Sequence, residues 1–306
     1  MKFLRNIVFL LACVGALQTY AQNDIDVSNF MFDEISYNPA FTGEGETFRA
    51  SLLARKQWLG VEGSPLFQTL SVDGATKHFG GLGLHVVNDE IGFENNITAT
   101  INYSYGVNLG EQSRLTLGFA GGIIDRYIDE TDFMYQDKSQ YDPEGINPDE
   151  NFIIPTINVG LNLMIRNFTL GFSSTHITND LANSTIGNLP RHYYGFASLR
   201  INPEGNVSVV PSVLVKCGSA ALQVEGNANV YLYNHFWLGV SYRTNESVVG
   251  LVGLILKNRI FLGYSYDYNI GDMSRYSKGS HEIFMSWRMR KDPRQKGFYQ
   301  STRLFN

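Results

Sequence analysis

The chain has 306 residues, a net charge of −5 and 17% charged residues, which gives no support for nucleic-acid binding, since that usually needs a basic domain or stripe. It has two cysteines, Cys13 and Cys217; with Cys13 in a removable leader, no internal disulfide framework is left. A mean hydropathy of −0.14 is compatible with a membrane barrel, whose strands are only half apolar.

The N-terminus reads as a secretory leader over residues 1–21. Lys2 and Arg5 form the basic region, Ile7 to Leu17 the apolar region, and Thr19-Tyr20-Ala21 a cleavage site that starts the mature chain at Gln22. The apolar run is too short to span a bilayer. A rival reading takes Leu10-Leu11-Ala12-Cys13 as a lipoprotein signal, but the apolar stretch ahead of Cys13 is very short. No later stretch reaches the roughly 18 apolar residues of a transmembrane helix, so an exported chain integral to the outer membrane must be a closed barrel.

Residues 22–46 form an N-terminal arm or plug without strand character. They contain Phe30-Met31-Phe32 and Tyr37-Asn38-Pro39-Ala40-Phe41-Thr42-Gly43. From Thr47 the period is two. Leu222, Val224, Gly226, Ala228 and Val230 alternate with Gln223, Glu225, Asn227, Asn229 and Tyr231, which gives one apolar and one polar face. The pattern predicts an all-β, antiparallel transmembrane barrel over residues 47–290. We place fourteen strands near 47–58, 66–75, 79–88, 94–108, 113–125, 152–166, 168–178, 191–201, 206–217, 219–232, 235–244, 247–257, 259–269 and 280–290. Most are about ten residues or longer, the length a tilted strand needs to cross a membrane; sandwich strands run to about five or six. Aromatics gather near strand ends, at Trp58, Tyr103, Tyr105, Tyr193, Tyr194, Tyr231, Tyr233, Phe236, Trp237 and Tyr264 to Tyr268, and read as interfacial girdles.

The connections check the count. The long ones, Leu59–Pro65, Arg126–Asn151, Asn179–Pro190 and Ile270–Gly279, all fall on the odd-to-even side, which is extracellular if the arm and tail start and finish in the periplasm. Tight turns at Asn167, Asn234 and Lys257–Asn258 fall on the other side. The short link at Gly218 is the exception. The Arg126–Asn151 loop is acidic; it reads as a solvated surface, since its carboxylates lack calcium-loop spacing. Residues 291–306 are a basic tail expected on the periplasmic side. No repeat or linker divides the chain.

No constellation points to catalysis, a cofactor or a metal. His281 and Glu282 are strand neighbours facing opposite sides. His78 and His85 lack zinc-ligand company. His176 beside Ser174 and Thr175 hints at a lipid hydrolase, but polar lumen residues explain it more simply. Gly80-Gly81-Leu82-Gly83 has no Gly-Lys-Ser/Thr after it. It and Gly118 to Gly122 read as strand positions where another backbone or a plug comes close.

Three segments resemble the PorP/SprF family over nearly the whole mature chain. Tyr37-Asn38-Pro39-Ala40 with Gly43 is similar to its YNPAxxG opening. Arg55-Lys56-Gln57-Trp58-Leu59-Gly60 with Pro65 is similar to its R-x-Q-W-x-G…P signature. Gly279-Ser280-His281-Glu282-Ile283 is similar to its closing GSHEI strand. The resemblance implies a non-enzymatic outer-membrane component of the type IX secretion and gliding machinery of Bacteroidetes. It implies as partners a secreted protein with a C-terminal sorting domain, such as a gliding adhesin, the periplasmic ring components, and outer-membrane lipid. The motif residues serve the plug or a partner; we expect the arm inside the barrel, with Arg55 meeting a carboxylate or carbonyl. The alternatives are a small-solute porin or transporter, and an outer-membrane lipid enzyme.

Overall fold

A computed structural model describes residues 26–45, 48–76, 79–128, 152–178, 190–218, 222–257 and 259–289. The leader, most of the acidic loop and the basic tail lie outside these residues. Fourteen antiparallel strands close into one barrel: β1 Phe48–Lys56, β2 Leu66–Thr76, β3 Gly80–Ile91, β4 Glu94–Gly110, β5 Ser113–Ile128, β6 Phe152–Ile165, β7 Phe168–Thr175, β8 His192–Leu199, β9 Val207–Cys217, β10 Leu222–Leu232, β11 Phe236–Arg243, β12 Ser247–Leu256, β13 Ile260–Asn269 and β14 Ser280–Met289. Each strand pairs with its sequence neighbours, and β1 closes the ring against β14 from Phe48↔Met289 to Lys56↔His281.

Alternation decides which side chain goes where. Leu52, Ile101, Leu117, Phe172, Val240 and Ile283 point outward and are exposed, while Asn102, Asn162, Glu225, Asn229 and Glu282 point inward and are buried. An apolar outer wall around a polar interior requires lipid on the outside, and the chain is an outer-membrane β-barrel. The β10–β11 turn places both Tyr233 (φ 51) and Asn234 (φ 55) in the left-handed region, the hairpin pattern whose twist matches that of the strands.

The girdle expectation needs a correction. Tyr103, Tyr105, Tyr193, Tyr233, Phe236 and Tyr264 do face outward, but Tyr194, Tyr231 and Trp237 are buried inside. Their neighbours Tyr193 and Phe236 take the outer face, and a period of two cannot put both members of an adjacent pair there.

The lumen is not empty. Residues 26–45 run through it, with short 3₁₀ turns at Glu34–Ser36 and Pro39–Phe41. Gly43 lies beside Gly74 and Gly81, at the barrel end that carries the shorter turns. Asp26 lies 2.7 Å from the Lys216 ammonium, at the end that carries the long loops. The arm therefore runs the length of the barrel interior.

Candidate functional site

The inner face of the barrel and the arm form one continuous site. Its first part is a bare-backbone seat. A Cβ on Gly118 would overlap the backbone of Pro39 and Ala40, one on Gly160 would overlap the Asn38 carboxamide, and one on Gly81 would overlap the Thr42 carbonyl. These glycines let the arm lie directly on the strands. Asn38 organises the segment. Its Oδ1 accepts from Ala40 N at 2.9 Å and caps the Pro39–Phe41 turn. Its Nδ2 donates to the carbonyls of Leu161 and Phe172 on β6 and β7. Pro39 opens the turn, where no N–H is needed. Ala40 is fully buried. Gly43 has φ +66, and a side chain there would sit 2.7 Å from the Gly74 carbonyl; its N–H donates to Asp73 at 2.6 Å.

The second part is a buried ionic network at the closing seam. Arg55 and Glu282 are direct partners across the β1–β14 pairing, joined at 3.3 Å. Arg55 also meets Asp267 of β13 at 2.7 Å. Arg243 of β11 joins Glu225 at 2.9 Å, Glu246 at 3.1 Å and Asp267 at 3.3 Å. The arm is wired into this network. Ser28 N and Asn29 N donate to the two oxygens of Glu282 at 2.8 and 2.7 Å. Asn29 Nδ2 donates to Glu282 as well, and Ser28 Oγ donates to Asp267. Such charges are held in the interior because each faces an opposite charge.

A second cluster pins the middle of the arm. Arg49 meets Asp73 at 2.7 Å and Glu34 at 3.5 Å. Asp33 accepts from Ser71 and Thr69 of β2 and from Ser36 of the arm. On either side of this cluster the arm buries aromatic rings. Phe32 packs on Trp237 and Phe284 at ring distances of 4.9 and 5.1 Å. Phe30, Tyr37 and Phe41 pack around Phe196. Tyr37 also meets Tyr194 at 5.9 Å.

The remaining motif residues clasp two long-loop connections together. Trp58 (φ 50) and Gly60 (φ +94) shape the turn after β1. Trp58 N donates to Ser280 Oγ, Leu59 N to the Gly279 carbonyl and Lys278 N back to Leu59. Pro65 accepts from Gln57 N. His281 points outward and pairs with the Tyr264 hydroxyl at 2.7 Å, on the face opposite Glu282. The motifs thus fall into three places: arm seat, seam and loop clasp. Sequence reading missed Asp267, Arg243 and Glu225 of the network, and Arg49 and Asp73. Each was legible as a lone charge on the polar face of a strand, but its partner was not.

At the long-loop end, Gln223 Nε2 donates to Asp26 and to Glu246. Burial, and then the Asp26 carboxylate, push the Glu246 carboxyl up to about 7 despite Arg243 nearby. A group with a raised folded pKa stabilises the fold fully below its unfolded value, and that contribution is lost as pH rises through the folded value. Stability from Glu246 should therefore fall between the ordinary glutamate value of 4.5 and about 7. Comparing melting midpoints of the wild type and Glu246→Gln across pH 4 to 8 checks this: the wild type should lose stability relative to the variant as pH rises, and parallel curves would refute it.

Residues 19–287 match the model of a family described as "Type IX secretion system membrane protein PorP/SprF". No curated protein matches the chain in sequence. Among solved structures, the monoaromatic hydrocarbon channel CymD is similar at 11% identity, covering 89% of this chain and 95% of that one, with a TM-score of 0.44. OmpF of Salmonella typhi, in complex with daunomycin, is similar at 9% identity over 81% and 98% of the two chains, with a TM-score of 0.36. CdiB from Acinetobacter baumannii is similar at 8% over 80% and 60%, with a TM-score of 0.40. Likeness at this level says nothing about what this chain does.

Proposed function

Because the chain belongs to the PorP/SprF family of type IX secretion system membrane proteins, we propose that it is a plugged outer-membrane barrel that docks an exported protein through that protein's C-terminal sorting domain. A secretion component, rather than an enzyme, is what the family and the barrel describe. We assign the long-loop end to the cell exterior, since outer-membrane barrels carry short turns on the periplasmic side. The exported partner then meets the Asp26 end of the arm, and periplasmic ring components meet the Gly43 end. Residues 1–21 are assigned as a cleaved leader.

The observation that favours docking over solute passage is the arm. A porin keeps a polar, water-filled lumen, whereas here Phe30, Phe32, Tyr37 and Phe41 are buried across the interior. The motif residues build and hold this plug, so its outward surface is a fixed platform. Crosslinking in native membranes followed by affinity capture of the barrel tests the reading. A large secreted protein should be recovered, crosslinked through its C-terminal domain. Recovery of ring components and lipid with no exported protein would overturn it.

A further inference from the structure

On the β3–β9 side the arm does not fill the lumen. A cavity of about 140 Å³ lies there between arm and wall. Its lining comes from the long-loop halves of the strands, including Val87, Asn96, Thr98, Ile124 and Thr175. Phe30, Tyr37 and Tyr194 give it an aromatic side. A volume of about this size accommodates a single benzene-sized ring. Two of its lining residues carry an unsatisfied polar atom. Thr175 Oγ1 and Asn96 Oδ1 have no hydrogen-bond partner among the described residues, although Thr175 is 3% and Asn96 9% exposed. Asn96 directs its Nδ2 to Glu94 at 2.6 Å, which leaves its oxygen turned to accept. Buried polar groups without partners cost stability, and a ligand that supplies the partner recovers it.

We propose that this outward half of the lumen is a binding site for one tyrosine side chain of the exported partner. The ring packs against Phe30, Tyr37 and Tyr194, and the phenol hydroxyl donates to Asn96 Oδ1 or accepts from Thr175. The assignment rests on the docking reading above. A phenylalanine leaves both polar atoms orphaned, and an aliphatic side chain in addition loses ring–ring contact. In the outward half the seam network holds Ser28 and Asn29 against β13 and β14, across the lumen from the strands that line the cavity.

The test uses the full barrel in detergent carrying Thr98→Cys and Cys217→Ser. Maleimide labelling of the new thiol reads access to the cavity, with N-acetyl-tyrosinamide, N-acetyl-phenylalaninamide and N-acetyl-leucinamide as probes. Ligands this small bind at about millimolar concentrations, so about 10 mM tyrosinamide should slow labelling several-fold. Phenylalaninamide should slow it less and leucinamide not at all. Adding Asn96→Leu and Thr175→Val should abolish the preference for tyrosinamide. Equal rates with all probes overturn the site. So does a thiol that labels only after residues 132–148 are removed, since the chain's own loop would then be the occupant. In cells, Thr98→Trp should fill the cavity and abolish recovery of the exported protein. Normal recovery with Thr98→Trp overturns the partner assignment and leaves a site for free phenols. If the wild-type barrel itself recovers no exported protein, the docking reading fails, whatever the labelling result.

Discussion

Replacing Glu282 by alanine should destabilise the barrel more than any other single change on its inner face. The carboxylate accepts from Ser28 N, Asn29 N, Asn29 Nδ2 and Arg55 NH1, all buried. Breaking a buried ion pair costs up to about 3–5 kcal/mol; Arg55 keeps Asp267 at 2.7 Å, so much of the loss falls on the arm. Here two arm amides are orphaned as well. The loss falls on the β1–β14 seam, where Arg55 and Glu282 face each other in register, so both barrel closure and arm capture should suffer. The measurement is the temperature at which the folded band on SDS gels converts to the unfolded one; it should fall sharply for Glu282→Ala and by less for Glu282→Gln. His281→Ala, one residue away on the outer face, removes exposed contacts with Tyr264 and Tyr266 and should change little. Equal shifts for Glu282→Ala and His281→Ala would refute the seam network.

The second large effect is expected at the glycine seat. Gly118→Val puts a branched side chain into the backbone of Pro39 and Ala40. Overpacking of this kind costs about 1–3 kcal/mol where neighbours can shift, and here the neighbour is backbone pinned by Asn38. The cheaper response is for the arm to leave its seat while the barrel stays closed. Gly118→Val and Gly160→Val should therefore make residues 26–45 sensitive to protease with the barrel's folded band retained. Gly226 and Gly250 also lie in strands, but a Cβ there meets nothing within 4 Å. Gly226→Val and Gly250→Val should leave the arm protected. Uniform protection in all four variants would show that the arm does not rest on these strands.

The wall of this barrel was legible in the sequence, and its contents were not. Alternation put Leu222 outside and Gln223 inside without any knowledge of neighbours, and loop parity confirmed the strand count. Both signals are local. The arm carried no period, so only its position before the first strand and its apolar pairs suggested a plug. Its path depends on contacts such as Ser28 to Glu282, 254 residues apart, which no local pattern encodes. The glycines around Gly81 and Gly118 announced a close approach but not of what. Tyr194, Tyr231 and Trp237 were misread for the same reason: an aromatic near a strand end suits lipid and plug equally, and only the identity of its neighbour decides. Arg55 and Glu282 stood out through resemblance alone. Arg243 and Asp267, which complete their network, have no motif around them.

If the arm closes the lumen, the barrel docks a partner rather than passing solutes. Single-channel recording of the purified wild-type barrel in planar bilayers tests it most directly. The wild type should give no steady open state, and Gly118→Val should give stepwise openings as the arm leaves its seat. A large, steady conductance from the wild type would contradict closure by the arm.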